Sequence, residues 1–340
     1  AGVVRQHAAA RPPAPPVPPF PGVGPPPSPP PLAAPGGVGG AAIGAGPPIK
    51  VLAFSNAAEV AAPGVYLLGF RPDEQVRRVV GYALGQGLRR IAGLAPDDAY
   101  GAVAMEALRR AVVEGGGELG PIRFYPPNQA IPSEIVRDLA GVDERLRQLE
   151  RGTGPDAGRF DAPPRRALEQ GAIGAPPFDA ILLADGGNRL RGVASLLTYY
   201  DVDPTRVKYL GTWRWQVDDP GALQDAALQG GWFAAPSPRG IATFQRRFAA
   251  IFGREPDPLA ALAYDATALA AIVARDLGAP GFDDVAMTTA EGFLGASGPF
   301  RLRPDGLAEH GLAVLQVAPG GTPQVLSEPP TSFAAGVAAR

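Results

Sequence analysis

Residues 91–101 read IAGLAPDDAYG. An apolar run stops at Pro96, gives way to Asp97 and Asp98, and passes through Tyr100 and Gly101 into AVAMEALRRAVVEGGG, whose apolar residues have helical spacing. An apolar run without alternation marks a strand buried on both faces, and a strand that turns directly into a helix is half of a βαβ unit. The same alternation recurs on either side. KVLAFSN and VYLLGF read as strands, followed by a helix over 72–87 with Val76, Val79, Val80 and Ala83 on one face, Pro72 near its start and Gly87 at its end. Then come RRIAGLA and a helix over 98–114, ELGPIRFY and a helix over 133–150, FDAILLAD and a helix over 188–200, VKYLGTW and a short helix near 220–228, and GGWFAAP. This alternation predicts an α/β fold with a parallel sheet covered on both faces, whose ligands collect at the carboxyl ends of the strands.

Composition excludes several kinds of chemistry. The chain has no cysteine, so thiolate catalysis, disulfides and zinc-thiolate sites are ruled out. Its two histidines, His7 and His310, stand at opposite ends of the sequence, which argues against a Ser-His-Asp triad or a His-rich metal site. No metal and no cofactor is expected. A net charge of −2 gives no reason to expect nucleic acid. There is no GxSxG, HExxH or P-loop lysine motif; GGGELG follows a helix and reads as its stop, and GVGGAAIGAG lacks a preceding strand. No apolar run approaches the ~20 residues that span a bilayer. DATALAAIVARDLG and FQRRFAAIFG read as amphipathic helices whose stripes face a core. The chain therefore reads as noncatalytic.

Residues 1–48 carry RPPAPPVPPFPGVGPPPSPPPLAAPGG, which favours extended polyproline II over helix or strand and predicts a disordered arm. Residues 151–177 are long and rich in Gly and Pro for a connection and read as a surface insertion, either a lid or an ornament, with a short helix around Pro164–Gln170.

The strand ends carry a resemblance. VLAFSN, PGVYLLGF, RRIAGLAPDDAYG, FDAILLADGG, YLGTWRW, GGWFAAPSP, FQRRFAAIFGREPDPLAALAYDA and GPFRLRPDG, in this order, resemble the second half of a type I periplasmic binding protein of the Leu/Ile/Val-binding branch. GGWFAAPSP and LAALAYDA, with the 151–177 insertion, are closer to penicillin-binding protein activators. The resemblance covers about 49–325 and implies a two-lobed fold with ligand held between the lobes. On this pattern 49–88 is a partial first lobe continued by 239–300, 89–238 is a second α/β lobe, 301–326 are C-terminal strands and 327–340 is a tail. Relative to the family, three strand-helix units are missing before KVLAFSN. A fragment or a misread upstream frame is the expectation, with degeneration the competing explanation. The partial lobe is then expected to expose apolar edges and to open more readily than the second lobe.

Five residues at strand ends are candidates for a ligand site: Ser55, Asn56, Tyr100, Asp185 and Trp213. Ser55 and Asn56 offer a hydroxyl and an amide, or form a cap or turn. Asp97 and Asp98 cap the next helix or face the cleft, while the resemblance implies that Tyr100 lines it. Asp185 receives a ligand ammonium or pairs with Arg189. Trp213 stands near the position where amino-acid-binding members carry an acid, and Ala57 near their threonine. Loss of both polar anchors makes a free branched-chain amino acid a poor ligand, because its charges would be left unpaired on desolvation.

Two functions are implied. The activator-like segments imply regulation of peptidoglycan synthesis through a synthase partner in the periplasm or cell envelope. The wider family implies the solute-binding component of an amino-acid or related ABC importer, with a small-molecule ligand between the lobes. The export signal of such a protein is not found in this sequence.

Overall fold

Residues 49–151, 173–257, 259–276, 283–330 and 333 are described by a computed structural model. The Pro/Gly arm, the helix expected around Pro164–Gln170 and most of the tail lie outside these residues. Strand β3 (Arg90–Pro96) is buried at every position after Arg90, as its unbroken apolar run requires. Its two faces feed separate cores. Ile91 and Ala95 pack with Val76, Val80 and Val112, whereas Ala92 and Leu94 pack with Val136, Leu190 and Leu197. Helices α1 (Pro72–Gly85) and α2 (Ala99–Glu114) supply the first layer. Helices α3 (Ser133–Leu139), α4 (Val142–Glu150) and α5 (Gly187–Tyr199) supply the second.

Strands β4 (Glu118–Tyr125) and β5 (Ala180–Leu183) flank β3 in parallel, and β6 (Lys208–Gly211) and β7 (Trp232–Ala235) extend the parallel run. Two strands from the C-terminal region, β11 (Ala313–Val317) and β12 (Pro323–Ser327), then add antiparallel, giving the order β12-β11-β7-β6-β5-β3-β4. Gly93 lets α2 lie close to β3, since a Cβ there would fall 2.5 Å from the Met105 sulfur and 2.7 Å from Leu108 Cδ2. Each fully buried Val or Leu in these layers contributes about 1.5–3 kcal/mol, so burial rather than helix propensity holds α1 and α2 in place.

The helix expected over 133–150 is two helices. Gly141 takes a left-handed φ of 63° between them and ends the first, a conformation that side-chain periodicity does not report.

Residues 49–88 and 239–300 do not share one continuous sheet. Strands β1 (Val51–Ala53) and β2 (Val65–Leu67) form a parallel pair. Strands β8 (Phe293–Gly295), β9 (Gly298–Leu302) and β10 (Ala308–His310) form an antiparallel sheet of their own, joined to β2 by one bridge between Leu67 and Leu307. Val51 and Phe54 are exposed. Helix α8 (Ala260–Asp276) does bury Leu262, Leu269 and Val273. Helix α7 (Pro238–Phe252) does not match its sequence reading, because none of its residues is buried. Its Phe244, Phe248 and Phe252 stack along one face with ring centroids 5.8 and 4.5 Å apart, and Phe244 meets Tyr264 at 5.5 Å. The stripe is real, and Phe244 and Phe248 are half-buried, but among the described residues the short neighbouring sheets bury none of it fully. Among the described residues no helix is long and apolar enough to cross a membrane.

Candidate ligand-binding site

The stretch that closes β3 folds for local reasons. The Asp97 N–H donates to the Tyr125 carbonyl at 2.8 Å and prolongs the β3–β4 ladder. The Asp98 carboxylate accepts from the Gly101 N–H at 2.8 Å and caps α2. A Cβ on Gly101 would lie 2.0 Å from the Pro96 carbonyl oxygen, so only glycine lets the helix begin this close to the strand. Of the two readings open for Asp98, capping is the one present.

Tyr100 turns its ring toward the ends of β3 and β6. Its hydroxyl shares a 2.8 Å hydrogen bond with the buried Thr212, and the Arg214 guanidinium lies 4.7 Å from the ring centre. Burial pushes the phenol up to about 12. Arg214 also pairs with Asp218 at 2.7 Å and approaches Asp185 at 3.7 Å. Asp185 is buried and accepts from the Tyr125 hydroxyl at 2.6 Å, the Gly186 N–H at 2.8 Å and Arg189 Nε at 3.1 Å. Burial and this carboxylate hold the Tyr125 phenol well above its usual range. The pairing with Arg189 is thus present, and the Asp185 oxygens are occupied by protein donors.

Ser55 and Asn56 follow β1. The Ser55 hydroxyl accepts from the Ala57 N–H at 3.1 Å, which makes a turn, and its carbonyl accepts from Gly69 at 3.2 Å. Asn56 is exposed. The Gly69 contact sets Ser55 one residue from Phe70, and Phe70 meets Trp213 edge-on with centroids 4.9 Å apart.

Trp213 sits just past β6, at the start of the short helix α6 (Arg214–Val217). Its backbone N–H donates to Gln75 Oε1 at 2.7 Å, and its ring contacts both cores. The neighbouring Trp215 is a core anchor: it is fully buried, its indole N–H donates to the Leu183 carbonyl at 3.1 Å, and Gly211 leaves it room. Trp213 instead lines a cavity of about 230 Å³. Gln216, Val217 and Pro220 continue this wall; Pro238, Ile241, Phe244 and Gln245 of α7 face it, and Pro256, Asp257 and Ala261 complete it with Pro236. Tyr100, Asp185, Ser55 and Asn56 are not part of the lining. Tyr100 and Asp185 reach the site through Arg214, next in sequence to Trp213, and Ser55 through Phe70.

The facing wall escaped sequence reading. Phe244 and Gln245 lie in FQRRF, whose spacing reports an amphipathic helix but not what its apolar face meets. Asp257 lies in REPDP, where two prolines on a helix-helix connection were the available signal.

A family model described as periplasmic binding protein matches residues 38–322. No curated protein matches the chain. Similar solved structures include an extracellular ligand-binding receptor from Rhodopseudomonas palustris HaA2, 16% identical over 81% of this chain and 75% of that one, with a TM-score of 0.54. A branched chain amino acid ABC transporter periplasmic ligand-binding protein from Burkholderia xenovorans LB400 is 17% identical over 84% and 71%, with a TM-score of 0.55. A leucine-, isoleucine-, valine-, threonine- and alanine-binding protein from Brucella ovis is 14% identical over 78% and 64%, with a TM-score of 0.54. At these identities the likeness is one of fold.

Proposed function

We propose a function from one premise: this chain belongs to the periplasmic binding protein family. On that premise it is a noncatalytic module that binds a small solute beside Trp213, as the solute-binding component of an ABC importer in the periplasm or cell envelope. The observation that carries this reading is the cavity. It lies past the carboxyl ends of β6 and β7, where open α/β sheets hold their ligands, and it is apolar with a few polar groups, as small-molecule sites are. The importer-type names of its fold relatives support the same reading.

A second reading is regulation of peptidoglycan synthesis through a synthase partner. It is favoured by the activator-like segments GGWFAAPSP and LAALAYDA, which border the cavity, and by the half-exposed aromatic face of α7. Thermal-shift measurements with a panel of amino acids, aromatic acids, amines and short peptides separate the two. A solute present at ~100 times its Kd adds roughly 2.7 kcal/mol to the folded state and raises Tm by several degrees. That rise is the expected result. No rise with any solute, together with capture of a purified peptidoglycan synthase, would replace the first reading with the second.

A further inference from the structure

Resting on the solute-binding reading, we propose that the cavity beside Trp213 selects a small protonated amine with an apolar, ring-bearing body and discriminates against free amino acids and carboxylic acids. Size sets the first limit. A cavity of about 230 Å³ falls below the roughly 300–1,000 Å³ of sites for drug-sized ligands, which leaves space for a ring and a short chain. The walls set the second. Trp213 and Phe244 offer aromatic surface and four prolines make the lining stiff, so the site is largely preformed. Trp213 is fixed from behind by the edge of Phe70 and by the Gln75 side chain.

Charge decides the class. Among the described residues Asp257 is the one ionisable side chain in the lining. It is exposed, and one of its oxygens accepts from the Leu259 N–H at 2.9 Å while the other is open to a ligand. Among the described residues no arginine or lysine lines the cavity, and three that flank it have other partners. Arg214 pairs with Asp218 and lies over Tyr100, Arg254 lies over Phe248 at 5.3 Å, and Arg239 reaches Glu328 at 3.7 Å. A ligand carboxylate would therefore enter with no cation in the lining and beside the like charge of Asp257, which disfavours it. An ammonium meets the opposite case. It gains a carboxylate and aromatic surface for a cation–π contact, while the Gln216 and Gln245 amides, which both donate and accept, serve either charge.

Isothermal titration with phenethylamine, phenylalanine and phenylacetate at pH 7 tests this, because the three share a ring and differ only in their charged groups. The expected result is that phenethylamine binds at least about tenfold more tightly than either of the others, a difference of about 1.4 kcal/mol. Asp257→Asn should remove that preference while leaving Tm nearly unchanged, since Asp257 is exposed and the amide oxygen can still accept from the Leu259 N–H. Phenylalanine or phenylacetate binding as tightly as the amine would overturn the proposal and leave the solute-binding reading standing. So would a solute outside this series that stabilises the chain when the amine does not. Failure of all three and of the whole solute panel would overturn both.

Discussion

Gln75 ties the start of α1 to Trp213 from outside the cavity. Its amide nitrogen donates to the Phe70 and Arg71 carbonyls at 3.3 and 3.2 Å, and its oxygen accepts from the Trp213 backbone at 2.7 Å, all while nearly buried. Gln75→Ala takes the side-chain partner from the Trp213 N–H and the Phe70 carbonyl, while the Arg71 carbonyl keeps the backbone N–H of residue 75, so a loss of about 1–3 kcal/mol is expected in urea denaturation. Asp185 shows the same economy with charge. Asp185→Ala removes the acceptor of the buried Tyr125 hydroxyl and one partner of Arg189 and Arg214, which keep the Pro126 and Gln129 carbonyls and Asp218, so a loss of about 1–3 kcal/mol is expected. A variant within 0.5 kcal/mol of wild type, a roughly neutral surface effect, would contradict the structural role given to Asp185. Tyr100 adds a pH dependence. Its folded pKa stands above the ordinary value, so its contribution is whole below about pH 10 and is lost as pH rises toward about 12. Tyr100→Phe should flatten that part of the stability profile, and an unchanged slope would show that the hydroxyl is not held as described.

At the scale of elements, α2 and α7 look alike in sequence and differ in the fold. Both carry an apolar stripe, but α2 buries Met105, Leu108 and Val112 against β3, while no residue of α7 is fully buried. Leu108→Ala is expected to cost about 2–5 kcal/mol, whereas Phe248→Ser should stay near 0.5 kcal/mol, both read from the urea midpoint. A large loss for Phe248→Ser would show that α7 has a covered face. This contrast marks what sequence could report. The strand at 90–96 was legible because burial on both faces leaves an unbroken apolar run, and the cap at Asp98 because acid, spacing and glycine stand together. The break at Gly141 was not legible, because a backbone φ leaves no trace in periodicity. The far wall of the cavity was missed because amphipathicity gives a face and not its neighbour. Of the five candidate site residues, the lining contains Trp213; Tyr100, Asp185 and Ser55 reach it only through Arg214 or Phe70, and Asn56 is exposed outside it.

Across the whole molecule, packing is uneven. The seven-stranded sheet lies between two layers of buried side chains, while β1 and β2 are three residues each and leave Val51 and Phe54 exposed. Hydrogen exchange should therefore be slowest at Ala180–Leu183 and much faster at Val51–Ala53, since regions with few buried contacts open at lower free energy. Equal protection of the two would contradict this gradient. The same method tests the site itself. With saturating amounts of whichever panel solute raises Tm most, exchange should slow in peptides covering 211–220 and 238–257, the two walls of the cavity. Slowing confined to other parts of the sheet, or absent while the solute still stabilises the chain, would place the ligand elsewhere and contradict a binding module built around Trp213.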